Sequence, residues 1–249
     1  MKSNRVEPRD RRFATTLAKG LSILQVFSPG ERGLGNRELA RRTGMPPSTV
    51  ARMTYTLTNL GFLQQSHADD SYRLGPAVMA LGYTARASLL FLPTAEPLMQ
   101  ELADKVKMLV ALAVRDGDAV MLTRCWRPRD SSSIWLSEGH RLPLDKSSPG
   151  RAILAAGKSA VSDDLLLSRD REMLQARGFV ASIGHWNPEI NACAVPFQPE
   201  PSLDPVAFLC GANSDGLTQQ QLEKSVGPLL RKFVRKLENS LGIPGIRLD

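Results

Sequence analysis

The tightest constraint in this chain lies between Asn36 and Arg52, where a small residue, a glycine and an apolar residue fall at a fixed spacing. Ala40 is small enough for two helices to touch where they cross. Gly44 tolerates the positive φ that a sharp turn between helices demands, and Val50 offers an apolar anchor on the second helix, facing the first. The pattern predicts a helix over Asn36 to Thr43, capped by Asn36, with Leu39 and Ala40 facing inward. A second helix starts around Pro46, carries Val50, Met53, Leu57 and Leu60 on one face and ends at Gly61. An αα-hairpin inside a core would use the same spacing. The opposite face argues against it: Pro47, Ser48, Thr49, Arg52, Tyr55 and Thr56 form a compact polar surface without an acid, as suits an element entering a major groove.

The flanking segments complete a small domain. Leu17, Leu21 and Leu24 recur at helical spacing from Thr15 to Phe27, and Ser28-Pro29-Gly30 stops that helix. Two strand-like runs, Phe62 to Gln65 and Tyr72 to Leu74, flank the polar turn His67-Ala68-Asp69-Asp70-Ser71 and read as a hairpin, the wing of a winged helix-turn-helix. Charge supports a polyanionic partner. Residues 1–75 hold 12 Lys and Arg against 6 Asp and Glu, whereas residues 76–249 hold 20 against 19, so nearly all of the net charge of +7 lies in the first third. A solvated basic surface gives the same count, and charge alone does not separate the two.

These signals suggest roles. Ser48 and Thr49 contact phosphate or base edges, with Pro47 and Tyr55 on the same face. Arg52 makes a bidentate contact to guanine. Arg37, Arg41 and Arg42 position the domain on the backbone, and the wing with Arg73 reaches an adjacent groove.

Beyond about residue 108 the texture changes. Leu109 to Val114, Ala119 to Cys125, Phe179 to Ile183, Ala192 to Phe197 and Val206 to Cys210 read as strands. Between them lie helical patches at Gly150 to Ala156 and Arg171 to Arg177, and Thr218 to Leu241 closes the chain as an amphipathic helix. The fold class is therefore α+β, with a mainly antiparallel sheet in the second domain. The expected divisions are a disordered basic arm at 1–12, a DNA-binding domain at 13–75, a helical linker at 76–107, in which Pro76 and Pro93 open helices, and a larger domain at 108–249.

No run approaches the length of a membrane span, and no apolar stretch of a secretory signal follows the charged N-terminus. Three cysteines, Cys125, Cys193 and Cys210, lack Cys-x-x-Cys spacing, which disfavours a disulfide scaffold or zinc finger and fits a reducing cytoplasm. Cys193 and Cys210 read as small buried hydrophobes, and His140 and His185 as surface residues, although His185 with Cys193 could be imagined as metal ligands. Nothing pairs a nucleophile with a base and no phosphate loop follows a strand, so neither an enzyme nor a cofactor is expected. The competing readings are an enzyme or ligand sensor in the second domain tethered by the first, and an adaptor whose winged helix binds protein.

The chain also resembles the IclR-type (isocitrate lyase regulator) transcription factors. The resemblance is carried by Phe13 to Leu24, by Glu38-Leu39-Ala40 with Thr43 to Arg52, and by Leu57 to Leu63. It continues through Gly139 to Leu144, Gly150-Arg151-Ala152, Gly178-Phe179-Val180 and Ala194-Val195-Pro196. It implies a GAF-like effector domain with a curved antiparallel sheet, a homodimer or dimer of dimers on a palindromic double-stranded operator, and small carboxylate effectors, aromatic acids among them. Carried over by position, the effector pocket comprises Ile134, Leu142, Ser148, Pro149, Ser182, Ala192, Leu209 and Gly211. Ser182 stands where many relatives have an acid, and Ala192 where some have a cysteine. Within this pocket the turn Ser147-Ser148-Pro149-Gly150 reads either as a carboxylate cradle of backbone N–H groups or as an ordinary helix cap. Trp135 and Trp186 read either as walls for an aromatic ligand or as plain packing.

Overall fold

The computed structural model describes residues 12–28, 30–66, 68–157 and 165–246. The expected basic arm lies outside the described residues apart from Arg12, as does His67 in the expected wing. The chain divides into two compact units, Met1–Leu89 and Leu90–Asp249.

The first unit contains α1 (Thr15–Leu24), β1 (Leu34–Gly35), α2 (Asn36–Thr43), α3 (Pro47–Asn59), β2 (Leu63–Gln65), β3 (Ser71–Leu74) and α4 (Pro76–Ala87). Gly44 ends α2 in the left-handed region at φ 69°, which turns the chain sharply into α3. Ile23, Leu39, Val50, Leu57, Leu63 and Tyr72 form the core. Strand β3 lies between β1 and β2 and is antiparallel to both. β1 is only two residues long, too short to leave a sequence pattern.

Three details depart from the sequence reading. α1 stops at Leu24 rather than Phe27, and its fully buried residue is Ile23, while Leu17 and Leu21 stand 63% and 47% exposed. Leu17 and Leu21 thus border a groove with α3 and stay largely in water, while only Leu24 of the stripe packs against the core. Asn36 does not cap α2: Gly35 holds that position, and Asn36 Oδ1 lies 3.2 Å from the hydroxyl of buried Thr54, linking α2 to α3. Leu60 caps α3 and is exposed instead of lying on its buried face.

The second unit begins inside the stretch expected as a linker, because α5 (Leu92–Val106) buries Leu92, Ala95, Leu98, Met99, Leu102 and Ala103 within it. Its strands are β4 (Leu109–Asp116), β5 (Ala119–Trp126), β6 (Arg141–Pro143), β7 (Val180–Ile183), β8 (Ile190–Phe197) and β9 (Val206–Asn213). They form one curled antiparallel sheet in the order β6-β5-β4-β9-β8-β7. Three-residue β6, which ends in a proline, is absent from the sequence reading for the same reason as β1.

Alternation along the strands gives the sheet two unlike faces. On one, Val110, Leu112, Cys193, Phe197, Phe208 and Cys210 pack beneath α5 and α9 (Gly227–Leu241). The ring of Phe197 lies 5.0 Å from that of Phe91 and 5.7 Å from that of Phe208. The other face is floored by small side chains, Ala111, Ala113, Ala194 and Ala207, which lets α6 (Ser148–Ala156) approach closely, with α7 (Leu165–Arg177) beside it. Ahead of α9, α8 (Gln219–Gln221) is capped by Thr218 and runs into a wide π-type turn over Leu222–Val226.

Candidate nucleic-acid interface and ligand pocket

Helix α3 is held from one side by Val50, Thr54 and Leu57, which leaves Pro47, Ser48, Arg52, Tyr55 and Thr56 exposed and Thr49 half-buried. Tyr55 is 72% exposed, a large aromatic side chain in water. The described residues put no carboxylate on this face, and Arg52 makes no ion pair there. Exposed Arg73 stands on β3 opposite Gln64. Asp69 at the turn accepts hydrogen bonds from Ser71, and bonds from Ser66 and Ser71 hold its carboxyl below the usual range.

The arginines of α2 divide into different roles. Arg37 is exposed. Arg41 makes a two-pronged contact to Glu38 at 2.8 and 2.5 Å, yet its side chain stays 72% exposed. Arg42 is committed inward: it reaches Glu38 at 2.7 Å, Glu31 at 2.8 Å and the Val26 carbonyl at 3.0 Å, tying α2 to the exit of α1. Both guanidiniums drive Glu38 down to about 2. Sequence reasoning missed Glu31 and Glu38 as competitors for these cations, although a Glu at i−4 from an Arg is a visible helix-pair signal.

In the second unit, all eight residues named for a pocket line one cavity, together with Leu136, Ser147, Trp186 and Ile190. The cavity measures only about 20 Å³, room for a single water. It sits at the N-terminus of α6, whose closeness depends on Gly150: a Cβ there would overlap the backbone of Leu144. Ser147 caps the helix, accepting from the Gly150 N–H at 3.3 Å and donating to the Pro143 carbonyl at 2.6 Å. Ser182 donates to the Lys146 carbonyl at 3.2 Å. The turn is thus a working helix cap, with the Gly150 N–H already used. Ser148 differs: its Oγ is buried and has no hydrogen-bond partner among the described residues. An orphaned buried hydroxyl costs about 1–3 kcal/mol, so it calls for a guest or a water.

Among the described residues no charged side chain lines the cavity. One turn along α6, buried Arg151 is spent on buried Asp170 of α7, through Nε to Oδ2 at 2.7 Å and a second, shorter contact. Its remaining arm meets His185 Nδ1 at 2.6 Å. A guanidinium only donates, so that nitrogen accepts and the imidazole is neutral. Burial, then the nearby guanidinium, lowers the His185 pKa. This cluster braces the segment that carries Trp186 and was missed in the sequence. Its one trace there is an arginine set in the apolar run of α6; the partner in α7 leaves no local signal.

Among the described residues no group of three or more His, Cys, Asp or Glu could hold a metal. Burial pushes the Cys193 thiol up to about 12 and that of Cys210 well above its ordinary value, opposite to what a nucleophile needs. Trp135 does not reach the cavity. It is 66% exposed and packs edge-on against His140 at 4.7 Å.

The N-terminal segment over residues 16–67 matches the IclR helix-turn-helix domain, and residues 85–181 match the C-terminal domain of bacterial IclR transcriptional regulators. An IclR family transcriptional regulator from Brucella abortus is 34% identical in sequence and superposes with a TM-score of 0.80, over 97% of each chain. The chain belongs to the IclR family. Another relative, the HTH-type transcriptional regulator TsaQ1/TsaQ2 of Comamonas testosteroni, is 28% identical over 90% of this chain and 87% of its own length. The same IclR fold is seen in a homolog from Microbacterium hydrocarbonoxydans solved with 4-hydroxybenzoate, at 21% identity and a TM-score of 0.73, covering 91% of this chain and 99% of that one. Membership makes the protein an effector-controlled, DNA-binding transcriptional regulator and gives α2 and α3 the place of the family's helix-turn-helix.

Proposed function

We propose that α3 reads operator bases through Arg52, with Ser48, Thr49, Pro47 and Tyr55 beside it, and that Arg37, Arg41 and Arg73 contact phosphates. Arg42 serves mainly to brace α2. The cavity at the head of α6 takes a small, largely apolar monoanion, an aromatic carboxylate in the simplest case. The observation that carries this assignment is the partnerless Ser148 hydroxyl in a cavity lined otherwise by Ile134, Leu136, Leu142, Trp186, Ile190 and Leu209. One hydroxyl at a helix N-terminus suits a single negative charge, and the absence of a lining cation disfavours a dianion. The relative that holds 4-hydroxybenzoate supports this class of ligand.

A cavity of about 20 Å³ does not admit such a molecule as it stands, since ligand pockets run to roughly 300–1,000 Å³. Binding therefore selects an opened state, in which the Ile134–Leu136 segment or Trp186 moves aside, and the regulator responds because the effector favours that state. A second copy covers the leucine stripe of the first unit. Leu17, Leu21, Leu24, Met53, Leu57 and Phe62 line a groove of about 780 Å³, and α4 buries none of its residues while exposing Met79, Leu81 and Tyr83. Such a surface fits a homodimer on a palindromic operator. We place the protein in the cytoplasm and assign it no catalysis; none of its described helices is long and apolar enough to cross a membrane.

The test is a thermal-shift panel of small carboxylates, beginning with 4-hydroxybenzoate, on wild type and Gly211→Ala. A Cβ at Gly211 would lie 3.3 Å from Ala192 Cβ and 3.8 Å from Ile134 Cδ1, occupying the cavity floor. A ligand at 100 times its dissociation constant stabilises wild type by about 2.7 kcal/mol. The variant should lose most of that gain, and an undiminished shift would place the ligand elsewhere.

A further inference from the structure

The segment between β5 and β6, residues 127–140, forms a lid on the cavity at the head of α6. Its stretch Ile134-Trp135-Leu136 turns Ile134 and Leu136 inward to line that cavity and leaves Trp135 in water. Polar contacts hold the lid at both ends. At its root, α5 presents Glu96, Gln100 and Asp104 one above the next at helical spacing. Gln100 donates to the Arg127 carbonyl at 2.7 Å, and Asp104 accepts from the Arg129 N–H at 3.0 Å. Lys107, at the end of the helix, pairs with Asp130 at 2.5 Å. The root is thus fixed to α5.

At the far end, Glu138 Oε1 accepts from the Cys125 N–H at 3.1 Å and from Arg124 Nη1 at 2.9 Å. Arg124 also faces the helix: its Nε and Nη2 reach Glu96 at 2.8 and 3.1 Å. Glu96 in turn accepts from the Trp126 indole at 2.7 Å. A single guanidinium therefore spans from α5 to the lid. Closing the lid has a cost. Ser133 Oγ and His140 Nδ1 within it, and Ser148 Oγ in the cavity, are buried without a hydrogen-bond partner among the described residues. Each would regain water if the lid lifted. Three orphaned polar atoms thus oppose the apolar contacts of Ile134 and Leu136 and the bonds to Glu138.

We propose that Arg124, positioned by Glu96, is a latch that sets how often the ligand pocket opens and couples that opening to α5. The inference rests on the opened-state reading given above and names the residues that regulate it. Neither Arg124 nor Glu138 lines the cavity, so both are positioning residues. Weakening the latch raises the open fraction. Apparent affinity scales with that fraction, so a change outside the pocket should tighten binding. A salt bridge that served stability alone would leave affinity where it was.

Hydrogen exchange of the ligand-free full chain over residues 131–140 reads the lid, and calorimetric titration with 4-hydroxybenzoate reads affinity. Glu138→Gln, at an exposed position, should speed lid exchange and tighten binding about three- to tenfold. Glu96→Gln, on a helix that contributes nothing to the cavity, should act in the same direction to a smaller degree. The two combined should go no further than Glu138→Gln alone, because the placing of Arg124 stops mattering once its lid partner has lost its charge. Lys105→Gln, which breaks a pair with Glu101 at 2.6 Å on the same helix, should change neither reading. Unaltered lid exchange in Glu138→Gln, weaker binding by it, or effects of the two variants that simply add would each overturn the latch. No heat from 4-hydroxybenzoate with any of these proteins would remove the ligand assignment instead, and exchange in the ligand-free chain would still decide the latch.

Discussion

Arg52 and Arg151 are the same side chain put to opposite uses, and they characterise the two units. Arg52 stands in water on α3 without an ion pair among the described residues, available to whatever approaches. Arg151 is buried on α6, with every direction of its guanidinium answered by Asp170 or His185. The surface proposed to face DNA is therefore complete before its partner arrives. The proposed ligand pocket is shut, braced from behind, and among the described residues has one unmet polar atom. A regulator built this way can hold its reading head constant and vary occupancy through a domain that must open.

Breaking the brace should have the largest effect. Arg151→Met leaves Asp170 charged and buried without a partner, which should cost about 3–5 kcal/mol, read by urea denaturation of the full chain. Arg52→Ala should change stability by no more than about 0.5 kcal/mol, as expected of an exposed side chain. A similar loss from both would erase the contrast between the units.

Ser148→Ala sharpens the comparison from the ligand side. Removing a buried hydroxyl that lacks a partner should leave the free protein as stable as wild type or more so, by up to about 1 kcal/mol, while weakening carboxylate binding about tenfold. Calorimetric titration against thermal unfolding separates the two, and a less stable free protein would show that the hydroxyl already had work to do.

The smallest expected effect concerns pH. His185 has a lowered pKa in the folded state, so the unfolded chain takes up its proton first as pH falls. Stability from this group is whole above its unfolded pKa, near 6.5, and is lost as pH drops through the folded value. His185→Gln should flatten the slope of stability between about pH 7 and 5. The lowered carboxyls of Glu31, Glu38, Glu101 and Glu223 act later, below about 4.5, and should be untouched.

What the sequence revealed follows the range of the forces involved. The turn at Gly44 and the anchor at Val50 were legible because a left-handed residue and an apolar contact at fixed spacing are local demands. The leucine stripe of α1 was legible as a stripe, yet its direction was not: periodicity marks an apolar face without saying what covers it. Thr54 and Asn36 bond across 18 positions, and Arg151 and Asp170 across 19, distances over which no spacing rule reaches. The cavity residues came from likeness to a family rather than from the chemistry of the residues themselves. The orphaned Ser148 hydroxyl, the most informative atom in the pocket, depends on packing around it and could be found only in three dimensions.

The most direct test of the account is selection of preferred duplexes from a random pool by wild type and by Arg52→Ala, with salt dependence measured on the winners. If α3 reads bases through Arg52, the variant should lose preference at one position in each half-site, cost about 1–3 kcal/mol there and keep the slope of affinity against salt. An unchanged sequence preference with a slope shallower by about one would make Arg52 a phosphate contact and contradict the reading.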